Sequence, residues 1–141
     1  MKQLTKDLLT LFQVVVGLAW VAGVIWAVLA LGAVAEPIST AAVLIYWGPM
    51  LVGPLLMIVG SLCVAGNIRL RMTSVVAFVG SLVLVAQALL WVVPAAHQSW
   101  FDGERWFSRL VAGVVAVTAL SAISAFVLLR DARPRPTVRV S

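Results

Sequence analysis

The sequence predicts an all-α integral membrane protein, an antiparallel bundle of four transmembrane helices with both termini cytoplasmic. Three observations carry this expectation. Every charged residue falls in one of five short clusters: Lys2/Lys6/Asp7, Glu36, Arg69/Arg71, Asp102/Glu104/Arg105/Arg109 and Arg130/Asp131/Arg133/Arg135/Arg139. Between the clusters lie apolar runs of about 20 residues or more, the length an α-helix needs to cross a hydrocarbon core of about 30 Å. Finally, 63% of the 141 residues are hydrophobic and 11% charged, where a soluble domain has about 25% charged.

The spans are expected near 9–33, 43–66, 73–95 and 107–129, flanked by an amino-terminal segment 1–8 and a basic tail 130–141. Such runs become helices because lipid offers no partner to an unpaired N–H or C=O. The first run follows Lys2 and Lys6 and ends at Ala33-Val34-Ala35, which imitates a signal peptide. Its apolar stretch from Leu8 to Leu31 exceeds the usual signal core, so it reads as a retained membrane helix, with cleavage as the alternative. A loop around Glu36-Pro37-Ile38-Ser39-Thr40 leads to the second span.

That span carries a local repeat, Gly48-Pro49-Met50-Leu51-Val52 followed by Gly53-Pro54-Leu55-Leu56-Met57. Each proline lacks a donor and crowds the preceding turn, freeing the carbonyls of Ile45 and Met50 and favouring a kink. Gly48 and Gly53 allow another helix to approach. A tight turn at Asn67-Ile68-Arg69-Leu70-Arg71 leads to the third span, and a polar loop from His97 to Trp106 to the fourth. After Arg130, Pro134 and Pro136 among arginines favour an extended tail lying along the lipid surface.

Orientation follows from the cations. The amino end, the second connection and the tail hold Lys2, Lys6, Arg69, Arg71, Arg130, Arg133, Arg135 and Arg139. The first and third connections hold only Arg105 and Arg109, beside Glu36, Asp102 and Glu104. The positive-inside rule then places both termini in the cytoplasm. Trp47, Trp91, Trp100, Trp106 and Phe107 gather near the opposite face, at the depth favoured by amphipathic rings. Trp20 and Trp26 lie inside the first span and do not fit that belt. The formal net charge of +5 therefore serves topology and anionic headgroups, not nucleic acid.

Helix association in lipid relies on close backbone approach and a few hydrogen bonds. Small residues align as Ala19, Gly23, Ala27 and Ala30 in the first span, with Trp26 in the same sector. They align as Ala77, Gly80, Ser81 and Ala88 in the third, and as Gly113, Ala116, Ser121, Ser124 and Ala125 in the fourth. These faces are expected to pack the bundle or to meet a partner subunit. Gln13 and Gln87 are the largest polar residues inside spans, each able to bond across helices.

Chemistry is harder to find. No Asp, Glu, Lys or Arg lies mid-span, where coupled transporters and proton relays usually keep one. Length and span count match a small-multidrug-resistance exporter. That family's membrane-embedded glutamate has no counterpart here, because Glu36 is in a loop, and the resemblance is rejected. His97 is the only histidine and Cys63, within an apolar run, the only cysteine. Neither a bis-histidine haem nor a zinc site can be assembled from them, and no nucleophile has a base beside it. No cofactor or metal is expected, and the chain is read as not an enzyme.

The functional expectation is a non-catalytic accessory or stabilising subunit of a larger membrane complex. Its partners would be lipids, other membrane subunits or copies of itself. The Val/Ala/Arg-rich usage associates with high-GC bacteria, hence a bacterial inner (cytoplasmic) membrane. The alternatives are a homo-oligomeric pore working through the Gly-Pro helix, and a carrier of an apolar compound in a crevice lined by Trp20, Trp26 and Gln87. The aromatic and charged loop at Trp100, Asp102, Glu104, Arg105 and Trp106 is a candidate contact for an extracytoplasmic partner.

Overall fold

The computed structural model describes residues 2–34, 39–92 and 105–133. Among them all regular structure is helical: α1 (Gln3–Val34), α2 (Thr40–Ala65), α3 (Leu70–Gln87) continued by a π-helical turn (Ala88–Val92), and α4 (Arg105–Asp131). Four stretches are long and apolar enough to cross a membrane, namely Gln3–Ala30, Thr40–Ala65, Leu70–Trp91 and Arg109–Asp131. The helices outrun the apolar runs that announced them. α1 starts at Gln3 because its polar first turns support themselves: Gln3 Nε2 donates to Asp7 Oδ1 at 2.8 Å, a pair one turn apart.

Local chemistry sets the other ends. Ser39 caps α2, its hydroxyl accepting from the Ala42 amide at 3.2 Å. α2 ends in a Schellman motif whose left-handed residue is Asn67 (φ 56°), not the adjacent Gly66. The Ile68 amide reaches the Cys63 carbonyl at 2.9 Å and the Asn67 amide reaches Val64 at 3.1 Å, satisfying two orphan carbonyls. Arg69 follows at φ 41°, also left-handed, so the five-residue reversal closes without a glycine at either strained position. Lys6 Nζ, from α1, donates to Asn67 Oδ1 and ties the first helix to this turn.

The helices form a closed ring of antiparallel neighbours, α1–α2–α3–α4 and back to α1. Both described ends of the chain and the α2–α3 turn share one end of the bundle, here the basic end. The closest pair is α2–α3. A Cβ on Gly60 would lie 2.6 Å from the Ala77 amide nitrogen and 2.8 Å from the Thr73 carbonyl oxygen. A Cβ on Gly80 would lie 2.5 Å from the Met57 amide nitrogen, and one on Gly53 would lie 3.0 Å from Val83. Backbones at that separation exclude any side chain and gain dispersion contact along the whole crossing. α4 adds an aromatic contact to α3, the Phe78 and Phe126 rings lying 5.9 Å apart and tilted by 51°.

What is buried inverts the pattern of a water-soluble bundle. Alongside Met57, Val64, Ala77, Leu84 and Ala125, the interior holds Thr10, Gln13, Ser61, Ser74, Ser81, Thr118, Ser121 and Ser124. The large apolar side chains face outward, Trp26 and Ile45 both 72% exposed.

The small-residue faces expected to pack the bundle divide three ways. On α3, Ala77, Gly80, Ser81 and Ala88 are all buried, as expected. On α4 only Ser121, Ser124 and Ala125 turn inward, while Gly113 and Ala116 are exposed. On α1 the expected packing face is corrected: Ala19, Gly23 and Ala30 are exposed, Ala27 is half-buried, and nothing lies near a Cβ placed on Gly23. The bundle instead uses Thr10, Gln13, Gly17 and Val24. The reason is energetic. A large amide such as Gln13 costs much when buried without partners, so its face turns to the serines that satisfy it, and an alanine stripe has no comparable demand.

Candidate functional site

Two polar features lie within the bundle. The first is a layer nearer the basic end that joins three helices. The Gln13 side chain of α1 is fully buried; its Nε2 donates to Ser124 Oγ on α4 at 3.1 Å, and its Oε1 accepts from Ser61 Oγ on α2. Ser124 Oγ then donates to the Ser121 carbonyl at 2.8 Å. Ser121 Oγ donates to Met57 Sδ at 2.9 Å, returning the connection to α2. Among the described residues this one amide bridges α1 to two other helices at once, which orients α1 about its axis. Hydroxyls in the layer also bond their own helix, as Thr118 Oγ1 does to Val115 O at 2.9 Å, so their burial costs little.

The second feature lies toward the opposite end. Gln87 Nε2 donates to the Pro49 carbonyl at 2.8 Å, joining α3 to the Gly-Pro segment. The acceptor is thus Pro49 itself, not the Ile45 or Met50 carbonyl that the proline rings deprive of a donor. Gln87 Oε1 is shielded and has no partner among the described residues, and the same holds for Trp20 Nε1. The π-helical turn begins immediately after Gln87, and such turns often interrupt helices near functional positions. Of the two prolines, Pro54 is buried beside Gly53, whereas Pro49 is exposed and Gly48 has open space around it. Within the Gly-Pro repeat, close approach therefore rests on Gly53 and not on Gly48. We expect Gln87→Leu to cost less than about 1 kcal/mol, since it removes one interhelical bond together with an unpaired oxygen. Unfolding in detergent, compared with the parent chain, measures this.

Trp20, Trp26 and Gln87 do not form the expected crevice. Trp20 packs against Val16, Met57 and Leu84, Trp26 points away from the bundle, and Gln87 is committed to Pro49. A cleft of about 170 Å³ lies between α1 and α2, lined by Val24, Val28, Trp47, Gly48 and Leu51 among others, and its walls are apolar. Cys63 is half-buried and free. Among the described residues no three His, Cys, Asp or Glu side chains are grouped as metal ligands would be. Trp100, Asp102 and Glu104, with His97 and Glu36, lie outside the described residues. Arg105 and Trp106 open α4.

Sequence reasoning passes over Gly17, Gly60 and Ser61. A Cβ on Gly17 would lie 2.6 Å from Ile58 Cγ1, which makes it a point of close approach between α1 and α2. The spacing Gly53, Met57, Gly60, Val64 is a helical face of small and apolar residues that could have signalled the α3 contact. Comparisons with protein-family models, curated proteins and solved structures find no match.

Proposed function

We propose that this chain is a small non-catalytic multi-pass protein of the bacterial inner membrane, an accessory or stabilising subunit of a larger membrane complex. The observation that carries the reading is the set of small residues the bundle leaves unused. Ala19 and Gly23 on α1, and Gly113 and Ala116 on α4, are exposed, and both glycines have open space where a Cβ would stand. Small exposed positions at helical spacing suit the approach of another transmembrane helix, from a different subunit or a second copy. The inverted interior supports membrane insertion, because only a hydrocarbon solvent favours so much exposed leucine, valine and tryptophan over buried serine. The lysines and arginines at the basic end support a cytoplasmic position for both termini. A pore along the axis of a single bundle gains no support, since Met57 and Leu84 fill that axis with no exposed surface.

Mild-detergent extraction tests this. We expect one or a few fixed partners at constant stoichiometry, and recovery as a lone monomer would remove the proposal. For the orientation, alkaline phosphatase fused at either terminus should be inactive and a fluorescent protein there bright. Active phosphatase at either end would overturn it.

A further inference from the structure

We propose that the basic end of the bundle holds the phosphate headgroup of an anionic phospholipid, gripped by Lys2, Lys6, Arg69 and Arg71. This rests on the membrane reading above and adds a specific ligand to it. Two elements bring the cations together. The Lys6 amide bonds the Lys2 carbonyl at 3.2 Å, so the two lysines stand one turn apart on one side of α1. Lys6 Nζ in turn donates to Asn67 Oδ1, which draws the start of α1 against the α2–α3 turn. Arg69 lies two residues beyond Asn67 in that turn, and Arg71 opens α3.

Two carboxylates, Asp7 and Asp131, share this end with Lys2, Lys6, Arg69, Arg71, Arg130 and Arg133, so it stays net basic. Asp7, the acid nearest in sequence to the lysines, accepts from Gln3, and Lys6 donates to the Asn67 side chain. Like charges held within one Debye length of each other repel, so an anion from outside lowers the energy of the arrangement. The surrounding surface selects which anion. Leu4, Leu8 and Met72 are 70%, 57% and 64% exposed beside the cations, and the cations stand at the ends of the candidate spans Gln3–Ala30 and Leu70–Trp91. A free phosphate would use only the charges. A phospholipid uses the charges through its phosphate and the flanking apolar surface through its acyl chains.

The test reconstitutes the chain in vesicles of phosphatidylcholine alone, or of phosphatidylcholine and phosphatidylglycerol in equal parts. Mild-detergent extraction and native mass spectrometry then report the retained lipid. We expect phosphatidylglycerol to be retained selectively. Each Lys or Arg removed near the surface should lower that selectivity about fivefold. The double variant Arg69→Gln/Arg71→Gln should therefore lose most of it and Lys2→Gln a smaller share, both with unchanged helicity by circular dichroism. Arg109→Gln, at the other end, should keep it, and excess inorganic phosphate should not displace the lipid. Equal retention of the two lipids, loss with Arg109→Gln as deep as with the double variant, or displacement by free phosphate would each overturn the proposal. A chain that enters phosphatidylcholine vesicles without selecting the anionic lipid overturns this inference alone. One that enters neither vesicle overturns the membrane reading, and this inference with it.

Discussion

Gly60→Leu is expected to separate α2 from α3 and to lower stability more than any other single change in the bundle. The Cβ alone would lie 2.6 Å from one backbone atom of α3 and 2.8 Å from another, and backbone cannot swing aside as a side-chain tip can. Overpacking a filled interface typically costs about 1–3 kcal/mol, and a leucine here should reach the top of that range. Gly80→Leu should behave alike, since its Cβ would meet the Met57 amide at 2.5 Å. Gly23→Leu is the informative control. With nothing near its Cβ, it should leave the unfolding midpoint in detergent unchanged or raise it slightly through helix propensity, about 1 kcal/mol at most. If α1 meets a partner subunit through this face, the same variant should lose co-purification while remaining folded. Equal tolerance of leucine at Gly60 and Gly23 would show that the α2–α3 contact does not hold the bundle together.

Gln13→Leu should produce the next-largest loss after the two glycine substitutions at the α2–α3 contact, about 1–2 kcal/mol, because it breaks two interhelical hydrogen bonds that average about 0.6 kcal/mol each and can reach 1.7. The freed hydroxyls of Ser61 and Ser124 can bond backbone carbonyls of their own helices, as Ser124 already does with Ser121, which limits the damage. A double-mutant cycle isolates the bridge itself. Ser61→Ala should cost less in the Gln13→Leu background than in the parent chain, because its partner is already gone. Strict additivity in denaturation measurements would mean that the Gln13–Ser61 contact contributes nothing. The orientation of α1 would then need another cause.

The polar layer and the Gly-Pro crossing were legible to different degrees. Gln13 and Gln87 stand out because a large amide in an apolar run has few places to go, and each does bond across helices. Their partners could not be read. Ser61 and Ser124 resemble any other serine until α1, α2 and α4 are placed side by side, and the Pro49 carbonyl is no more conspicuous than those of Ile45 and Met50. By residue type and depth Trp20, Trp26 and Gln87 group together, yet Trp26 is exposed while Trp20 packs on the core and Gln87 bonds the Pro49 carbonyl. The Gly-Pro repeat suggested two equivalent close approaches, of which the structure uses only the one at Gly53.

From the sequence alone come the all-helical class, the number of helices long and apolar enough to span a membrane, and their order, because charge clusters and apolar run lengths are set by the chain locally and need no neighbour to interpret them. Which face of each helix turns inward belongs to the tertiary structure. Small residues permit close approach on whichever side they lie, so composition offers several faces of similar merit, as with Ala19–Gly23 and Gly113–Ala116. The choice among them is made by contacts between distant residues: Gly60 against Ala77, Gly80 against Met57, and one glutamine satisfied by serines 48 and 111 positions away.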